Sequence, residues 1–466
     1  MQESIKVQSE EHISKVFAIL GTGATGVSVA KFLQSRDLNF VFLNTCSKNR
    51  PSALDQVTKI FPTHDVLYGS VDKYFFRKIH TIVVSPGVPL DIPLLISARE
   101  HSVKIIGDLE LFFKSVNSPV VTITGANGKS TVTSLVGTMA EHANIKVGIG
   151  GNIGIPMLNL VDKDFKLFVL ELSSFQLELF EGTGDHICGF LNISPDHLDR
   201  HGDMQNYLAA KQQIFLGAKQ AVVNRDDPLT YPQGLTQCDL VTFGTDEPYV
   251  ATDFGVISHN DIRWLALGKK RLMPVCDLSL KGSHNISNAL AALALGQCAG
   301  LPMESMLNTL RQFKGLPHRC EEIACIDNIL YIDDSKATNI GAACAAIEGF
   351  SLSKKPNILL IAGGRTKNID LSDLTKLASQ AVKHCFLLGE IADELHNILS
   401  EVIPVSRHTS IEGCVTEASK IACAGDVVLL SPACASFDMF ENYVDRGLHF
   451  QAAVNNLSAS RRPPDE

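Results

Sequence analysis

The chain has 466 residues, 45% of them apolar and 20% charged. At about 150 residues per domain that is material for roughly three globular cores, which excludes a disordered, fibrous or disulfide-scaffold protein. Lysine plus arginine number 41 against 50 acidic residues. A net charge of −9 provides no global field for nucleic acid or an anionic membrane, so an anionic ligand must be held by local charges or helix ends. The 12 cysteines form no CxxC pair and read as reduced, mostly buried thiols. The first residues, MQESIKVQSEEHISK, lack the apolar stretch of a signal peptide. The most apolar long segment, Ile286 to Met303, is broken by Gly296, Gly300 and Pro302 and reads as a core helix, not a membrane span. The expectation is a cytoplasmic protein without membrane insertion.

In chain order, short apolar runs alternate with Gly/Ser/Asn-rich turns and helical stretches. Val16–Leu20, Phe40–Leu43 and Ile82–Val84 come first, then Val120–Thr124, Leu167–Leu170, Gly189–Ile193 and Ala221–Val223. Ile329–Ile332, Ile358–Ile361, Cys385–Leu388 and Val427–Leu430 follow. The pattern predicts an α/β protein with parallel sheets covered on both faces. Polar breaks at Lys114–Pro119 and Phe313–Pro317 divide the chain into 1–116, 117–314 and 315–466. Asn224–Leu280, with the only tryptophan, Trp264, predicts extra antiparallel strands in the middle piece. The polar tail from Ser458 reads as frayed.

Gly21–Gly26 (GTGATG) follows a strand and opens a helix, letting a backbone approach a diphosphate. The acid that would hold a ribose diol is missing, for the second strand ends Leu43-Asn44-Thr45. A dinucleotide, another nucleotide diphosphate and a bare turn all remain open there. TGANGKST at 124–131 is more demanding. Its loop N–H groups can cradle phosphates, Lys129 can neutralise them, and a hydroxyl can reach Mg²⁺. The spacing departs from a Walker loop, which needs glycine where Ile123 stands.

Leu170-Glu171-Leu-Ser-Ser174 puts an acid at a strand end, where open sheets place ligands. In NISPDHLDRH (192–201), Ser194 as N-cap, Pro195 at the first position and Asp196 in the first turn make a helix start with no chemistry. His197 gains a role only because a phosphate-binding lysine calls for Mg²⁺ and its ligands. Spacing alone makes Lys211 a solvated helix residue. In the last third, Leu316-Pro317-His318-Arg319, DDSKATN (333–339) and SPACASFD (431–438) are polar clusters at strand ends. Cys434 has no assignable base and reads as structural.

Taken in order, TGANGKST, ELSSFQLE, NISPDHLDRHG, SHNISNALAA, LPHR, DDSKATN and SPACASFD resemble the Mur ligases, ATP-dependent amide-forming enzymes of peptidoglycan precursor synthesis. The GxGxTG start, DDSKATN and SPACASFD are most similar to the branch that adds D-glutamate to UDP-N-acetylmuramoyl-L-alanine. The DNPR and GTHGKT signatures of sister branches are absent. The resemblance implies Rossmann-like N-terminal and C-terminal domains flanking a central P-loop ATPase-like domain, in a monomer. It implies ATP and Mg²⁺ as cofactors, with reaction through an acyl phosphate and a tetrahedral intermediate. Ala24 and Thr25 would meet the diphosphate, and Asn44 and Thr45 the uracil. Ser85, Gly87 and Asn152 would border the sugar-nucleotide. Gly125, Asn127, Gly128, Lys129, Ser130 and Thr131 would bind ATP, with Asn285 and Asn288 near adenine. Ser130, Glu171, His197 and a carbamylated Lys211 would hold magnesium. Arg319, Asp334 and Lys336 would line the reaction centre, and Thr338, Lys367, Ser436 and Phe437 would take D-glutamate.

Three other readings compete. Folylpolyglutamate synthetase shares the chemistry but begins near the P-loop, leaving the first 115 residues unexplained. A nicotinamide-dependent dehydrogenase leaves Lys129 unexplained. A catalytically silent nucleotide-binding protein requires that Lys129 be dispensable.

Overall fold

The computed structural model describes residues 16–44, 57–68, 73–182, 184–234, 238–280, 282–352, 355–365 and 371–461. Three sheets follow one another along the chain. The first has five parallel strands in the order Val66–Tyr68, Phe40–Asn44, Val16–Leu20, Ile79–Val84, Lys104–Ile106. The second has nine strands. Five parallel strands from Ala218–Asn224 through His186–Phe190, Val120–Thr124 and Leu167–Glu171 to Val147–Gly151 form its ligand-facing half. The other half is Asp239–Phe243 followed by a three-stranded meander, Phe254–His259, Ile262–Leu267 and Lys270–Pro274. The third sheet has six strands, parallel except for Glu321–Ile326 against Ile329–Asp333. The meander meets the expectation of antiparallel strands around Trp264.

Every anticipated strand forms, with ends shifted by a few residues. Those that escaped the pattern have local causes. Val147–Gly151 has three glycines in five residues because its neighbours come too close: a Cβ on Gly151, at φ +102°, would lie 2.3 Å from the Glu171 carbonyl oxygen. Two hairpins turn on residues with little strand signal, Asn260-Asp261 (φ 50° and 60°) and Asp327-Asn328 (φ 53° and 60°). Positive φ at both central positions gives the twist that closes a two-residue hairpin.

Alternation along the central strands sends side chains to two different cores. Val121, Ile123, Val169 and Val222 pack under the helices Lys129–His142, Ser283–Cys298 and Met303–Gln312. Val120, Phe168, Leu170, Ala221 and Val223 face the other way, into a cluster with Ile19, Val29, Phe32 and Phe112. The first and second sheets therefore share one hydrophobic core. The helix Asp108–Phe113 is its wedge, buried along its whole length. Burial pushes the Asp108 carboxyl up to about 6. The polar break at Lys114–Pro119 is thus a break in sequence and not in packing. The third sheet has its own core on each face, one around Ile332 and Leu360, the other around Tyr331 and Leu359.

The segment Ile286–Met303 resolves into a helix to Cys298, a stop at Gly300 and Pro302, and a new helix from Met303. The final helix, Tyr443–Arg461, includes the first residues of the tail from Ser458, and 462–466 lie outside the described residues. Among the described residues no helix is long and apolar enough to cross a membrane, and every cysteine is a free thiol. The thiols are less buried than composition suggests: Cys276, Cys325 and Cys423 are exposed.

A shared core makes the first two bodies one cooperative unit. Phe112, fully buried edge-on against Phe168 with ring centroids 5.2 Å apart, spans it. Phe112→Ala should destabilise that unit by about 3–5 kcal/mol. In differential scanning calorimetry its transition should fall, with the third body's transition unmoved. Equal displacement of all transitions would contradict the shared core.

Candidate active site

The strand Val120–Thr124 delivers a loop, Gly125–Gly128, to the start of the helix Lys129–His142. Asn192, from the next strand end, holds the loop from below. Its Oδ1 accepts from the Asn127 N–H (2.8 Å), its Nδ2 donates to the Asn127 carbonyl (3.1 Å), and its own carbonyl accepts from Ala126 (2.9 Å). Gly128, at φ +81°, permits the last turn; a Cβ there would sit 2.4 Å from Asn288 Oδ1. The helix behind it presents unpaired backbone N–H groups and a positive dipole end, a site for phosphate.

Two lysines converge on this loop. Lys129 Nζ donates to the carbonyls of Gly125 and Ala126, both at 2.8 Å. Lys211, on the helix Met204–Gln212, donates to the same Gly125 carbonyl at 2.8 Å and to Thr124 Oγ1 at 3.3 Å. Lys211 is 1% exposed, and among the described residues no carboxylate pairs with its ammonium. Burial, then the charge of Lys129, drives its pKa well below the ordinary lysine value; burial also lowers that of Lys129. Spacing misplaced Lys211 as a solvated residue, because nothing local reveals the carbonyl that covers it.

Next to the loop runs a chain of hydrogen bonds. Arg319 Nη2 donates to Ser130 Oγ (2.6 Å), Ser130 donates to Glu171 Oε2 (2.5 Å), and Asn152 Nδ2 donates to Glu171 Oε1 (2.7 Å). Asn152 is thereby placed on the Glu171 carboxylate. Thr131, behind Ser130, is buried. His197 lies 3.6 Å from Asp196 and has φ +53°. The helix start expected at Ser194 is absent; the helix is Leu198–His201, with His197 at its N-cap. Ser130, Glu171, Asp196 and His197 line one cavity, and oxygens with an imidazole are donors of the kind magnesium takes.

A cavity of about 1140 Å³ joins the bodies at this point. Its middle-domain wall carries the P-loop, Asn152, Glu171, His197, Asn285 and Asn288. Its third-body wall carries Arg319, Asp334, Lys336, Thr338, Ser436 and the exposed Phe437. Pro86 and Gly87 reach it from the first sheet. Asp334 accepts from Ser431 Oγ (2.8 Å) and the Cys320 N–H (3.2 Å), and burial raises its pKa to about 7. Burial, then Arg319, lowers Lys336 to about 8; its Nζ lies 4.3 Å over the Tyr443 ring. Asn339 Nδ2 clasps the two walls, at 3.3 Å from Asn127 Oδ1 and 3.1 Å from Asp196 Oδ2.

Ala24 and Thr25 start the helix after Val16–Leu20, and Asn44 ends the adjacent strand, so these lie together at the first sheet's C-terminal edge. Ser85 follows the neighbouring strand, its N–H bonded to the Leu20 carbonyl (2.9 Å). None of these four lines the large cavity. Thr45 and Lys367 lie outside the described residues. Asn192, Asn339 and Arg446 had no assigned role in the sequence. Arg446, 1% exposed, binds Ser335 Oγ and the carbonyls of Ser335 and Cys434. Only the conspicuous ends of the motifs around Asn192 and Asn339 hinted at them.

Compared with known families, residues 15–107 match the Mur ligase MurD-like N-terminal domain, 123–296 the Mur ligase middle domain and 318–434 the Mur ligase glutamate ligase domain. The chain is 42% identical over 446 residues to the UDP-N-acetylmuramoylalanine–D-glutamate ligase of Legionella pneumophila (strain Lens), covering 95% of this chain and 99% of that one. It is 43% identical to the ligase of that name from Pseudomonas fluorescens (strain Pf0-1), over 94% and 98% of the two chains. Among solved structures, a pseudomurein peptide ligase type C from Methanothermus fervidus aligns with TM-score 0.59 at 18% identity, covering 95% of this chain and 100% of that chain. The UDP-N-acetylmuramate–alanine ligase of Thermotoga maritima aligns with TM-score 0.57 at 19% identity, over 96% and 100%. At those identities the structural likeness speaks for the fold alone.

Asp334 should leave a pH signature. Its folded pKa of about 7 stands above the ordinary 3.8, so the folded state holds an extra proton between those values. Its contribution to stability therefore declines as pH rises from about 4 to 7. Asp334→Asn should gain melting temperature relative to the parent across that window. A difference independent of pH would contradict the raised pKa.

Proposed function

The chain belongs to the Mur ligase family, and on that premise we propose that it joins D-glutamate to UDP-N-acetylmuramoyl-L-alanine in peptidoglycan precursor synthesis, forming ADP and phosphate. The observation that carries this reading is the single cavity uniting the Lys129 loop, the Ser130–Glu171 pair and the Lys336 cluster. Identity above 40% across nearly the whole length of relatives bearing that activity's name supports it. The proposed division of labour is 1–116 for the sugar-nucleotide, 117–314 for ATP and 315–466 for the amino acid.

A carboxylate resists amines because its leaving group would be oxide; ATP supplies the phosphoryl group that makes the leaving group phosphate. Lys129 and the helix N-terminus hold the phosphates, with Asn285 and Asn288 toward the adenine. Ser130, Glu171, His197 and Lys211 fit magnesium, which when bound neutralises charge on the transferred group. Arg319 binds Ser130 and brings a third-body cation to the same place. Thr338, Lys367, Ser436 and Phe437 orient D-glutamate, and Ala24, Thr25, Asn44, Thr45, Ser85, Gly87 and Asn152 serve the sugar-nucleotide. The Asn339 clasp keeps water from the activated carboxylate.

Lys211 enters as a carbamate. Its depressed pKa raises the share of neutral amine, which adds to CO₂ with loss of a proton and becomes an oxygen-donor anion. Lys211→Ala should abolish turnover, and short carboxylic acids should restore part of it; full activity in the variant would sink the carbamate.

Substrate choice is checked by phosphate release with ATP, Mg²⁺ and UDP-N-acetylmuramoyl-L-alanine, across D-Glu, L-Glu, L-Ala and meso-diaminopimelate. Release with D-Glu alone is expected. Release with another amino acid moves the chain to a sister step, and silence with all four overturns the sugar-nucleotide assignment.

A further inference from the structure

Phe175, on the cavity wall, is gripped from three sides. The buried His201 ring stacks on it with centroids 5.3 Å apart and planes 15° apart, His197 meets it edge-on at 5.1 Å, and the Arg200 guanidinium lies 5.6 Å from its centroid. Both His201 nitrogens are engaged, Nε2 by Ser174 Oγ at 2.9 Å and Nδ1 by Glu178 Oε1 at 3.3 Å. Ser174 is itself buried, so this serine–histidine–glutamate line cannot deliver a nucleophile to the cavity. It fixes a ring.

Glu178 has a second task. Its Oε2 accepts from Arg200 Nη2 at 3.2 Å, and the same nitrogen donates to the Val88 carbonyl at 3.2 Å. Val88 closes the turn Ser85–Val88, with its N–H on the Ser85 carbonyl, and that turn carries Pro86 and Gly87 to the cavity. One carboxylate thus governs two walls. One oxygen orients the platform under His197, whose left-handed backbone needs outside support; the other orients the arginine that holds the first-sheet turn.

We propose that Glu178 is a positioning residue of the ligation, setting the sugar-nucleotide turn through Arg200 and the His197 imidazole through His201 and Phe175. The proposal rests on the function given above. It divides the consequences of substitution. Arg200→Gln breaks the link to the turn and leaves Phe175 its stack on His201, and Ser174→Ala breaks only the far end of the histidine link. Glu178→Ala, which removes both oxygens, breaks both.

Steady-state kinetics of the full-length chain test it. Arg200→Gln should raise KM for UDP-N-acetylmuramoyl-L-alanine about ten-fold with little change in kcat, whereas Ser174→Ala should lower kcat about ten-fold with that KM kept. Glu178→Ala should do both, with KM for ATP within about two-fold of the parent in all three. Calorimetric titration of the sugar-nucleotide should show weakened binding in Arg200→Gln and Glu178→Ala but not in Ser174→Ala. An active parent with no such split, or with the ATP constant moving in step, overturns the positioning role and leaves the function standing. A parent silent with D-glutamate overturns the function, and this proposal with it.

Discussion

Two ammonium groups meet at one carbonyl oxygen. Lys129 and Lys211 each donate to Gly125 at 2.8 Å, so their charges sit within about 6 Å of one another beside a buried loop. At an effective dielectric near 20, that separation costs about 3 kcal/mol in repulsion. Each group also loses water, and both pKa values fall. The pair can be stabilised by bringing in negative charge or by giving up a proton. On the proposed function, phosphate at the helix end does the first for Lys129, and loss of a proton with capture of CO₂ does the second for Lys211. Glu171 and Asp196, whose charges favour both ammoniums, are the resident anions of that balance. The rest of the architecture presents this loop to a substrate.

The way the three bodies are joined follows from that need. Between the first and second the joint is apolar and continuous, built from Phe32, Phe112, Phe168 and their neighbours. Opening it would expose a core. Across the cavity, between the second and third, the joint includes Arg319 on Ser130 and Asn339 on Asn127 and Asp196. Net hydrogen bonds of about 1 kcal/mol each can be exchanged for water at little cost. The first sheet's edge is therefore fixed to the Gly125–Gly128 loop, while the third-body wall is held by contacts that can be exchanged for water.

Strands with four or more consecutive apolar residues were legible in the sequence, since burial on both faces leaves no other reading. Val147–Gly151 was not, for its glycines answer to neighbours made only by folding: the Phe165 ring at Gly148, the Ile155 carbonyl at Gly150 and the Glu171 backbone at Gly151. The site was legible where a motif announces its chemistry at a strand end, as at Lys129, Glu171 and Asp334. It was misread where a residue acts on a distant partner. The nine-residue helix of Lys211 says nothing of a carbonyl 86 positions earlier. Ser194-Pro195-Asp196 has the letters of a helix start, but Asp196 is taken by Asn339, from the third body, and by the His197 N–H. Local capping lost there to a tertiary bond.

Arg446 shows how the third body carries its part of the site. A guanidinium buried among carbonyls and a hydroxyl, its pKa lowered by burial to about 10, is a costly thing to keep in a core. Three bonds from its rigid fork join two loops that are distant in sequence: Ser335, beside Asp334 and Lys336, and Cys434, just before Ser436. His318 Nδ1 on Asp333 Oδ2, at 2.7 Å, ties the segment carrying Arg319 to the same strand end. With both ties in place, Arg319, Asp334, Lys336 and Ser436 cannot adjust one at a time. The third body thus presents these groups to the cavity as one set, and its polar contacts, Arg319 on Ser130 and Asn339 on Asn127, join that set to the Gly125–Gly128 loop and its helix.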